Sequence, residues 1–206
     1  MSQYFRIHPD NPQPRLIRQA VDFIRDGGVI VYPTDSGYAL GCHIGDKSAK
    51  ARMIRIRRLD EQHRFTLMCR DLKEAAVYAR FDTPVFRLLR AVTPGPYTFI
   101  LEATREVPRR LLNPKRRTIG LRIPDHAIVL ALLGELGEPL LTSTLILPDE
   151  EYPVSDPDEI RVRLHKEVDL IIDGGSGGTI PTTVVNLMED PPVLMRRGKG
   201  DPTPFL

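Results

Sequence analysis

Residues 28–41 read Gly-Val-Ile-Val-Tyr-Pro-Thr-Asp-Ser-Gly-Tyr-Ala-Leu-Gly, and this stretch decides the fold. Val29–Tyr32 is a continuous β-branched and aromatic run, which predicts a buried strand. Pro33 closes that strand, so Thr34, Asp35 and Ser36 fall in the loop that follows. Loops held at the ends of strands often carry binding and catalytic side chains, so this loop is a candidate part of a site.

Helical and strand patterns alternate on both sides of this stretch. Pro14–Arg25 has apolar residues at helical spacing that stop at Asp26-Gly27-Gly28, and Asp46 can cap a helix that extends to about Arg58. Further helices are predicted at Thr83–Val92 and Ala127–Leu136, and further strands at Phe65–Cys69, Tyr97–Ala103, Thr118–Ile123, Leu140–Leu147, Val168–Ile172, Thr183–Leu187 and Val193–Met195. Because strands outnumber long helices, we expect an α/β fold with a twisted mixed sheet and packed helices.

Composition limits the class of protein. A length of 206 residues with 41% hydrophobic residues is enough to bury one sizeable core, so we expect a single domain over residues 1–206. Cys42 and Cys69 form no CxxC pattern, which argues against a disulfide framework or zinc cluster and favours the reducing cytoplasm. The five histidines have no metal-ligand spacing, and no stretch approaches the ~20 apolar residues of a membrane span. We therefore expect neither a metal site nor a membrane partner.

The basic residues are clustered, although the formal net charge is only +2. Five arginines lie between Arg52 and Arg64, and seven basic residues lie between Arg105 and Arg122 against Glu106 alone. A charge run is often only a solvated face, and that alternative stays open for each run. Two basic runs beside candidate site segments nevertheless favour an anionic ligand.

Hydroxyl and guanidinium groups recur at the ends of the predicted strands. These residues are Thr34, Ser36, Thr118, Arg122, Thr142, Ser143, Thr182, Thr183 and Arg196. Both groups are good donors to phosphate and carboxylate oxygens, although a threonine or serine there often only caps a turn. The glycine-rich segment 173–179 lacks the GK[ST] ending of a phosphate loop and precedes a strand, so we interpret it as a turn.

Several segments resemble the YrdC/YciO family in the family's own order. Gly28–Gly41 is similar to its GGxVxxPTDTxYGLG opening, and Thr118–His126 is similar to its TVGVRxPxH segment. Further similar segments are Thr93–Thr98 to WPGPLT, Thr182–Val185 to STVV and Met195–Gly198 to LRPG. Arg57–Asp60 and Phe65–Leu67 look most like the YciO branch. The resemblance covers nearly the whole chain and implies a single YrdC-like domain with a basic concave cleft.

The resemblance also implies a chemistry and a set of contacts. Better-known members make threonylcarbamoyl-adenylate from L-threonine, bicarbonate and ATP, with Mg²⁺ expected on the nucleotide, for a modification of tRNA. By position, Ser36 and Arg122 match threonine contacts. Nucleotide contacts are matched by Arg57, Thr118, Ser143, Thr182 and Arg196. We expect no tightly bound cofactor, and the resemblance identifies no catalytic residue in this sequence.

Two departures from the family pattern weaken the expectation of catalysis. The family's KxR becomes Arg57-Arg58-Leu59, and its SxN becomes Ser143-Thr144-Leu145. Each lost charge-assisted contact costs ~1.5–3 kcal/mol, so adenylation is expected to be weak or altered. Whether the protein is an enzyme therefore stays open.

We expect a protein that binds a nucleotide and a structured or double-stranded RNA, with a functional synthase as the alternative. The expected RNA contacts on the basic rim of the cleft are Arg52, Arg55, Arg58, Arg109, Arg110, Lys115, Arg116 and Arg117.

Overall fold

The structure is a computed structural model that describes residues 1–60, 63, 65–113 and 115–206. Arg64, a member of the first basic run, lies outside the described residues. The strands are β1 (Gln3–Arg6), β2 (Ile30–Pro33), β3 (Tyr38–His43), β4 (Thr66–Met68), β5 (Ala79–Arg80), β6 (Tyr97–Ala103), β7 (Thr118–Arg122), β8 (Leu140–Thr144), β9 (Leu170–Asp173), β10 (Thr183–Asn186) and β11 (Val193–Arg196). The helices are α1 (Pro14–Arg25), α2 (Lys47–Arg57), α3 (Leu72–Tyr78), α4 (Thr83–Val92), α5 (Ala127–Leu136) and α6 (Pro157–Leu164).

A single sheet joins the strands in the order β1-β9-β2-β3-β8-β4-β7-β6-β10-β11, and β5 pairs with β6. The pairs β1–β9, β2–β9, β4–β7 and β6–β10 are parallel, and the other pairs are antiparallel. The predicted α/β class with a mixed sheet is therefore confirmed. Four predicted elements, α1, α4, α5 and β6, have the predicted bounds.

Local chemistry explains where the helices begin and end. Helix α1 begins at Pro14, whose missing N–H costs nothing in the first turn. Asp46 caps α2 by accepting a hydrogen bond from the Ala49 amide at 2.8 Å, as predicted. Helix α5 ends at Gly137, which adopts a φ of 76° that favours glycine.

The sheet separates two hydrophobic cores. Helices α1 and α5 cover one face, where Ile24 and Leu132 pack with Ile30, Tyr32 and residues of β9. Helices α2, α3, α4 and α6 contribute to the core on the opposite face. Strand β6 shows the division. Phe99 and Leu101 are buried in the core beneath α2, α3, α4 and α6, while Thr98 and Ile100 alternate with them and point to the face that α1 and α5 cover. On that face, beside the two helices, a cleft remains.

Several elements differ from the sequence prediction. Strand β8 ends at Thr144 and not at Leu147, because beyond Leu145 the chain leaves the ladder and the Ile146 amide donates to the Thr144 carbonyl at 2.9 Å. Strands β1, β3 and β5 and helices α3 and α6 were not predicted. Strand β3 is buried over almost its whole length, so it shows no apolar and polar alternation to read.

Candidate functional site

The cleft has a volume of about 670 Å³, and its floor is a row of residues in register across adjacent strands. Thr142 of β8, Thr66 of β4, Gly120 of β7 and Ile100 of β6 are successive cross-strand neighbours. A Cβ on Gly120 would lie 2.8 Å from the Thr66 hydroxyl, so the glycine keeps the centre of the floor low. The floor therefore presents hydroxyl groups around an open centre.

The walls of the cleft are cationic. Its lining includes five cations and, among the described residues, no aspartate or glutamate: Lys50, Arg57, Arg110, Lys115 and Arg196. Within the described chain none of these five forms an ion pair, whereas arginines elsewhere do, such as Arg52 with Asp169 at 2.7 Å. Cations left without counter-ions in a concave site attract an anionic ligand.

One wall is built around Arg57, at the end of α2. Its Nε donates to the Ile146 carbonyl at 2.9 Å, and its Nη1 donates to the Ser143 hydroxyl. The Nε2 atom of His63 lies 3.3 Å from the same hydroxyl. Burial lowers the pKa of Arg57 to about 10, and burial together with the Arg57 charge lowers the pKa of His63. At neutral pH this wall therefore carries one charged guanidinium beside a neutral imidazole.

The opposite wall is built around Arg196 of β11. Its Nε and Nη2 atoms donate to the Thr182 carbonyl at 3.1 and 2.9 Å, and Nη2 also reaches the Thr182 hydroxyl at 3.2 Å. That hydroxyl lies 2.8 Å from the hydroxyl of Thr98 on β6. Burial and then the charge of Arg122 lower the pKa of Arg196. All five residues matched to nucleotide contacts, Thr118 included, thus line one cleft.

Ser36 and Arg122, matched to threonine contacts, touch each other beyond the floor of the cleft. Arg122 is 4% exposed, and its Nη2 donates to the Ser36 hydroxyl at 2.8 Å and to the Thr34 hydroxyl at 3.1 Å. The same nitrogen pairs with the buried carboxylate of Asp35. Arg122 lies two residues after Gly120 on β7, which places this cluster against the floor. The placement agrees with a shared site, and the two binding roles stay predictions.

The glycine-rich segment 174–178 packs against the Thr34–Tyr38 loop. The Tyr38 hydroxyl donates to the Gly175 carbonyl at 2.7 Å and accepts from the Gly174 amide at 3.2 Å. A Cβ on Gly178 would lie 2.8 Å from the Ser36 carbonyl oxygen, and a Cβ on Gly37 would lie 2.7 Å from the Gly178 carbonyl oxygen. These glycines allow two backbones to touch, which is a role that the sequence did not indicate.

Of the described arginines in the first basic run only Arg57 lines the cleft, so the run does not join the second on one rim as expected. Arg52 and Arg55 face Asp169 and Glu167, the latter at 4.0 Å, because residues 52 and 55 lie on the helix side opposite Arg57. Arg58, beyond the end of α2, faces Asp149 at 3.7 Å. In the second run Arg110 and Lys115 line the cleft, while Arg109, Arg116 and Arg117 are exposed. Contact with RNA stays a prediction for all of them.

The two leucines at the departures lie away from the cleft lining. Leu145 is fully buried in the core, and Leu59 packs against that core from a partly buried position. The sequence did not identify Lys50, Thr66 or Thr98 as lining residues. The polar position of Thr98 between buried Tyr97 and Phe99 was a usable signal for a residue facing away from the core.

Neither a membrane span nor a metal cluster is found in the described residues. No helix there is long and apolar enough to cross a bilayer. No group of three or more histidine, cysteine, aspartate or glutamate side chains there could hold a metal ion. Both cysteines are buried and free.

Residues 22–198 match the family model Sua5_yciO_yrdC, described as telomere recombination. The "Uncharacterized protein YciO" of Escherichia coli (strain K12) is 61% identical over 206 residues, with all of both chains covered. A threonylcarbamoyl-AMP synthase of Halorhodospira halophila is 29% identical over 171 residues, which is 82% of this chain and 88% of that protein.

Solved structures agree with the sequence matches. The crystal structure of E. coli YciO superposes with a TM-score of 0.97 over all of both chains. The structure of P. abyssi Sua5 complexed with L-threonine superposes with a TM-score of 0.87 at 26% identity, covering 96% of this chain and 58% of that one. The fold thus has solved counterparts.

Proposed function

The chain belongs to the Sua5/YciO/YrdC family, and from this premise we propose that its cleft binds an adenine nucleotide and supports a slow adenylation of the threonylcarbamoyl type. One observation carries the proposal. Arg57, Thr118, Ser143, Thr182 and Arg196 converge on a single cleft whose cations, within the described chain, have no carboxylate partners. Such a cleft favours a polyanion that also accepts hydrogen bonds from hydroxyl groups.

The proposed reaction joins a carbamate carboxylate to the α-phosphorus of ATP and releases pyrophosphate. The Arg57 and Arg196 guanidinium groups, on opposite walls, would hold the phosphates in place, and Mg²⁺ would arrive on the triphosphate. The Arg122, Thr34 and Ser36 cluster at the end of the floor would hold the amino acid. Asp35 already neutralises Arg122, so the hydroxyls of Thr34 and Ser36 supply the remaining polar contacts there.

The adenylation is proposed to be slow because this cleft lacks the second cation and the amide of the family pattern. Leu59 and Leu145 replace them, and both pack against or within the core. Losing a donor that acts in the transition state costs on the order of 100-fold in rate. Binding requires fewer aligned groups than transition-state stabilisation does, so nucleotide affinity is expected to outlast catalytic rate.

Titration with ATP, with and without L-threonine and bicarbonate, tests the proposal alongside an assay of pyrophosphate release. We expect ATP binding in the native protein, a loss of at least tenfold in affinity in Arg57→Gln, and pyrophosphate release that requires both co-substrates. Arg55→Gln is the matched control, because Arg55 lies on the same helix outside the cleft lining. Absence of nucleotide binding in the native protein would refute the proposal.

A second candidate function, binding of structured RNA, is favoured by the exposed arginines beside the cleft. Arg109, Arg116 and Arg117 are exposed and form no ion pair within the described residues, whereas Arg52, Arg55 and Arg58 face carboxylates. The proposed contact surface is therefore restricted to residues 109–117. Affinity for a double-stranded RNA should fall by orders of magnitude between roughly 50 and 200 mM salt. Equal loss of binding in Arg55→Gln and Arg116→Gln would contradict that restriction.

A further inference from the structure

Lys50 and Arg110 lie in the wall of the cleft, and neither is matched to a nucleotide contact by the family resemblance. We infer that they form a second anion subsite, which takes the terminal phosphates of a nucleoside triphosphate or free pyrophosphate. For its ligand this inference rests on the proposed function. Its residues and its geometry are separate from Arg57 and Arg196.

Neutral groups hold both cations against the wall. Lys50 Nζ donates to the Arg110 carbonyl at 3.0 Å and lies 5.6 Å from the centre of the Phe65 ring. Arg110 Nη2 donates to the Ile44 carbonyl at 3.1 Å. An ammonium has three donors and a guanidinium has five, so each side chain keeps donors for a ligand.

The two charges are close together without compensation. No carboxylate in the described chain pairs with either one, although the same chain pairs Arg163 with two glutamates at 2.9 and 2.8 Å. Burial and the neighbouring Arg110 charge lower the pKa of Lys50. Like charges that share a partly buried wall repel each other, and the attraction of both cations to a bound anion would offset that repulsion.

An unsatisfied donor points to the same conclusion. The Nε atom of Arg110 is buried and has no hydrogen-bond partner in the described part of the chain. Buried donors in native proteins are nearly always paired, and an unpaired one requires an explanation. Because this nitrogen has almost no accessible surface, a phosphate oxygen in the cleft would become its acceptor only after the guanidinium turns toward the cleft, and a guanidinium binds phosphate through more than one N–H.

The helix spacing separates this subsite from Arg57. Lys50 and Arg57 are seven residues apart on α2, so they share a helix face about 10 Å apart along the axis. If the α-phosphate of ATP lies near Arg57, the β- and γ-phosphates can extend along that helix face toward Lys50. Because the bond from the α-phosphorus to its bridging oxygen breaks in adenylation, the electron pair departs with pyrophosphate. Lys50 and Arg110 are placed to hold that charge.

This placement distinguishes a small polyphosphate from RNA. Arg110 is half-buried and lines the cleft, whereas its neighbour Arg109 is exposed and is not part of the cleft lining. Backbone phosphates of a nucleic acid would meet Arg109 first. The pair Arg110 and Arg109 therefore offers a matched test within two consecutive residues.

Calorimetric titration of the native protein, Lys50→Gln, Arg110→Gln and Arg109→Gln with ATP, AMP and pyrophosphate tests the subsite. We expect Lys50→Gln and Arg110→Gln to weaken ATP and pyrophosphate at least tenfold and AMP less than twofold. Arg109→Gln should change none of the three more than twofold. Lys50→Arg, which keeps the charge, should retain most of the pyrophosphate affinity.

The outcomes separate this inference from the proposed function. If pyrophosphate binds and depends on Lys50 and Arg110 while neither ATP nor AMP binds, the subsite stands and the nucleotide function fails. If ATP binds equally well to the native protein and to both folded variants, the subsite is wrong and the nucleotide function stands. Native protein that binds no pyrophosphate and binds ATP no better than AMP also overturns the subsite. An equal loss in Arg109→Gln would show diffuse charge attraction, which refutes a defined subsite.

Discussion

At the scale of single residues, Leu145 shows how one side chain can change what a family position does. Its neighbours Ser143, Thr144 and Ile146 line the cleft, but Leu145 itself is fully buried in the core. A polar amide restored at this position would enter the core in place of an alkyl chain. The departure thus couples cleft chemistry to stability, which the sequence alone did not reveal.

Leu145→Asn is expected to destabilise the protein by about 3 kcal/mol or more, because it removes buried methyl groups and buries an amide. Urea unfolding of the native and variant proteins measures this difference. Ile146→Asn is the control, since Ile146 is half-buried and lines the cleft, and it should lose less than half as much. Equal losses at the two positions would contradict the burial argument.

His126 gives a residue-scale prediction on pH. Burial lowers its pKa from the ordinary value, and its Nδ1 atom is buried without a hydrogen-bond partner in the described residues. Below about pH 6.5 the unfolded chain binds a proton at this histidine and the folded chain does not, so stability falls as the pH drops toward the lowered pKa. His126→Asn should therefore lose less stability between pH 7.5 and 5 than the native protein does. Parallel pH profiles would rule out this contribution.

At the scale of elements, the contact between two loops organises one end of the site. Segment 174–178 touches the Thr34–Tyr38 loop through backbone atoms and the Tyr38 hydroxyl. Four glycines in five residues suggest a flexible turn. Only the contact with the Thr34–Tyr38 loop in the folded protein explains why this segment has almost no side chains. Elements with strong periodicity, such as α1 and β6, were predictable to the residue. Helix α6 begins inside the stretch 149–159, which holds six acidic residues and no basic one, and it was missed although Asp156 and Pro157 carry an N-cap signal.

Gly178→Ala should destabilise the protein by about 1–3 kcal/mol, because its Cβ would meet the rigid Ser36 carbonyl. Gly134→Ala is the matched control in helix α5, because no atom of the described residues would lie within 4 Å of the added Cβ. That control should stabilise by about 0.5–1 kcal/mol through helix propensity. Thermal unfolding of both variants gives the signs, and a neutral Gly178→Ala would mean that the two loops separate freely.

At the scale of the whole molecule, the cleft is what remains when two helices cover only part of one sheet face. Its residues come from six strands, from α2 and from the segments that connect them, and they are brought together by strand order and not by nearness in sequence. The family motifs indicated which residues belong together. The mutual orientation of these residues depends on tertiary contacts that no local pattern encodes. The pairing of Arg52 with Asp169 and the burial of the Arg110 Nε atom are examples.

Ligand binding should therefore stabilise the molecule as a unit. ATP at 100 times its dissociation constant adds about 2.7 kcal/mol, which corresponds to a rise of roughly 5–10 °C in Tm for a chain of this size. Scanning calorimetry with and without ATP measures the shift, and at the same ATP concentration Arg57→Gln should lose about half of it or more. The same rise in that variant would place the bound nucleotide elsewhere.

The position of β9 between β1 and β2 has a consequence for the synthesis of the protein on the ribosome. Ile30 of β2 cannot pair with Leu170 of β9 until Leu170 has been synthesised, 140 residues later. At 5–20 residues per second, that delay is roughly 7–28 s, during which an apolar strand edge has no partner on that side. During this interval we expect the nascent chain to expose apolar residues of β2, which favours chaperone binding and makes the yield of folded protein sensitive to the speed of translation between the two strands.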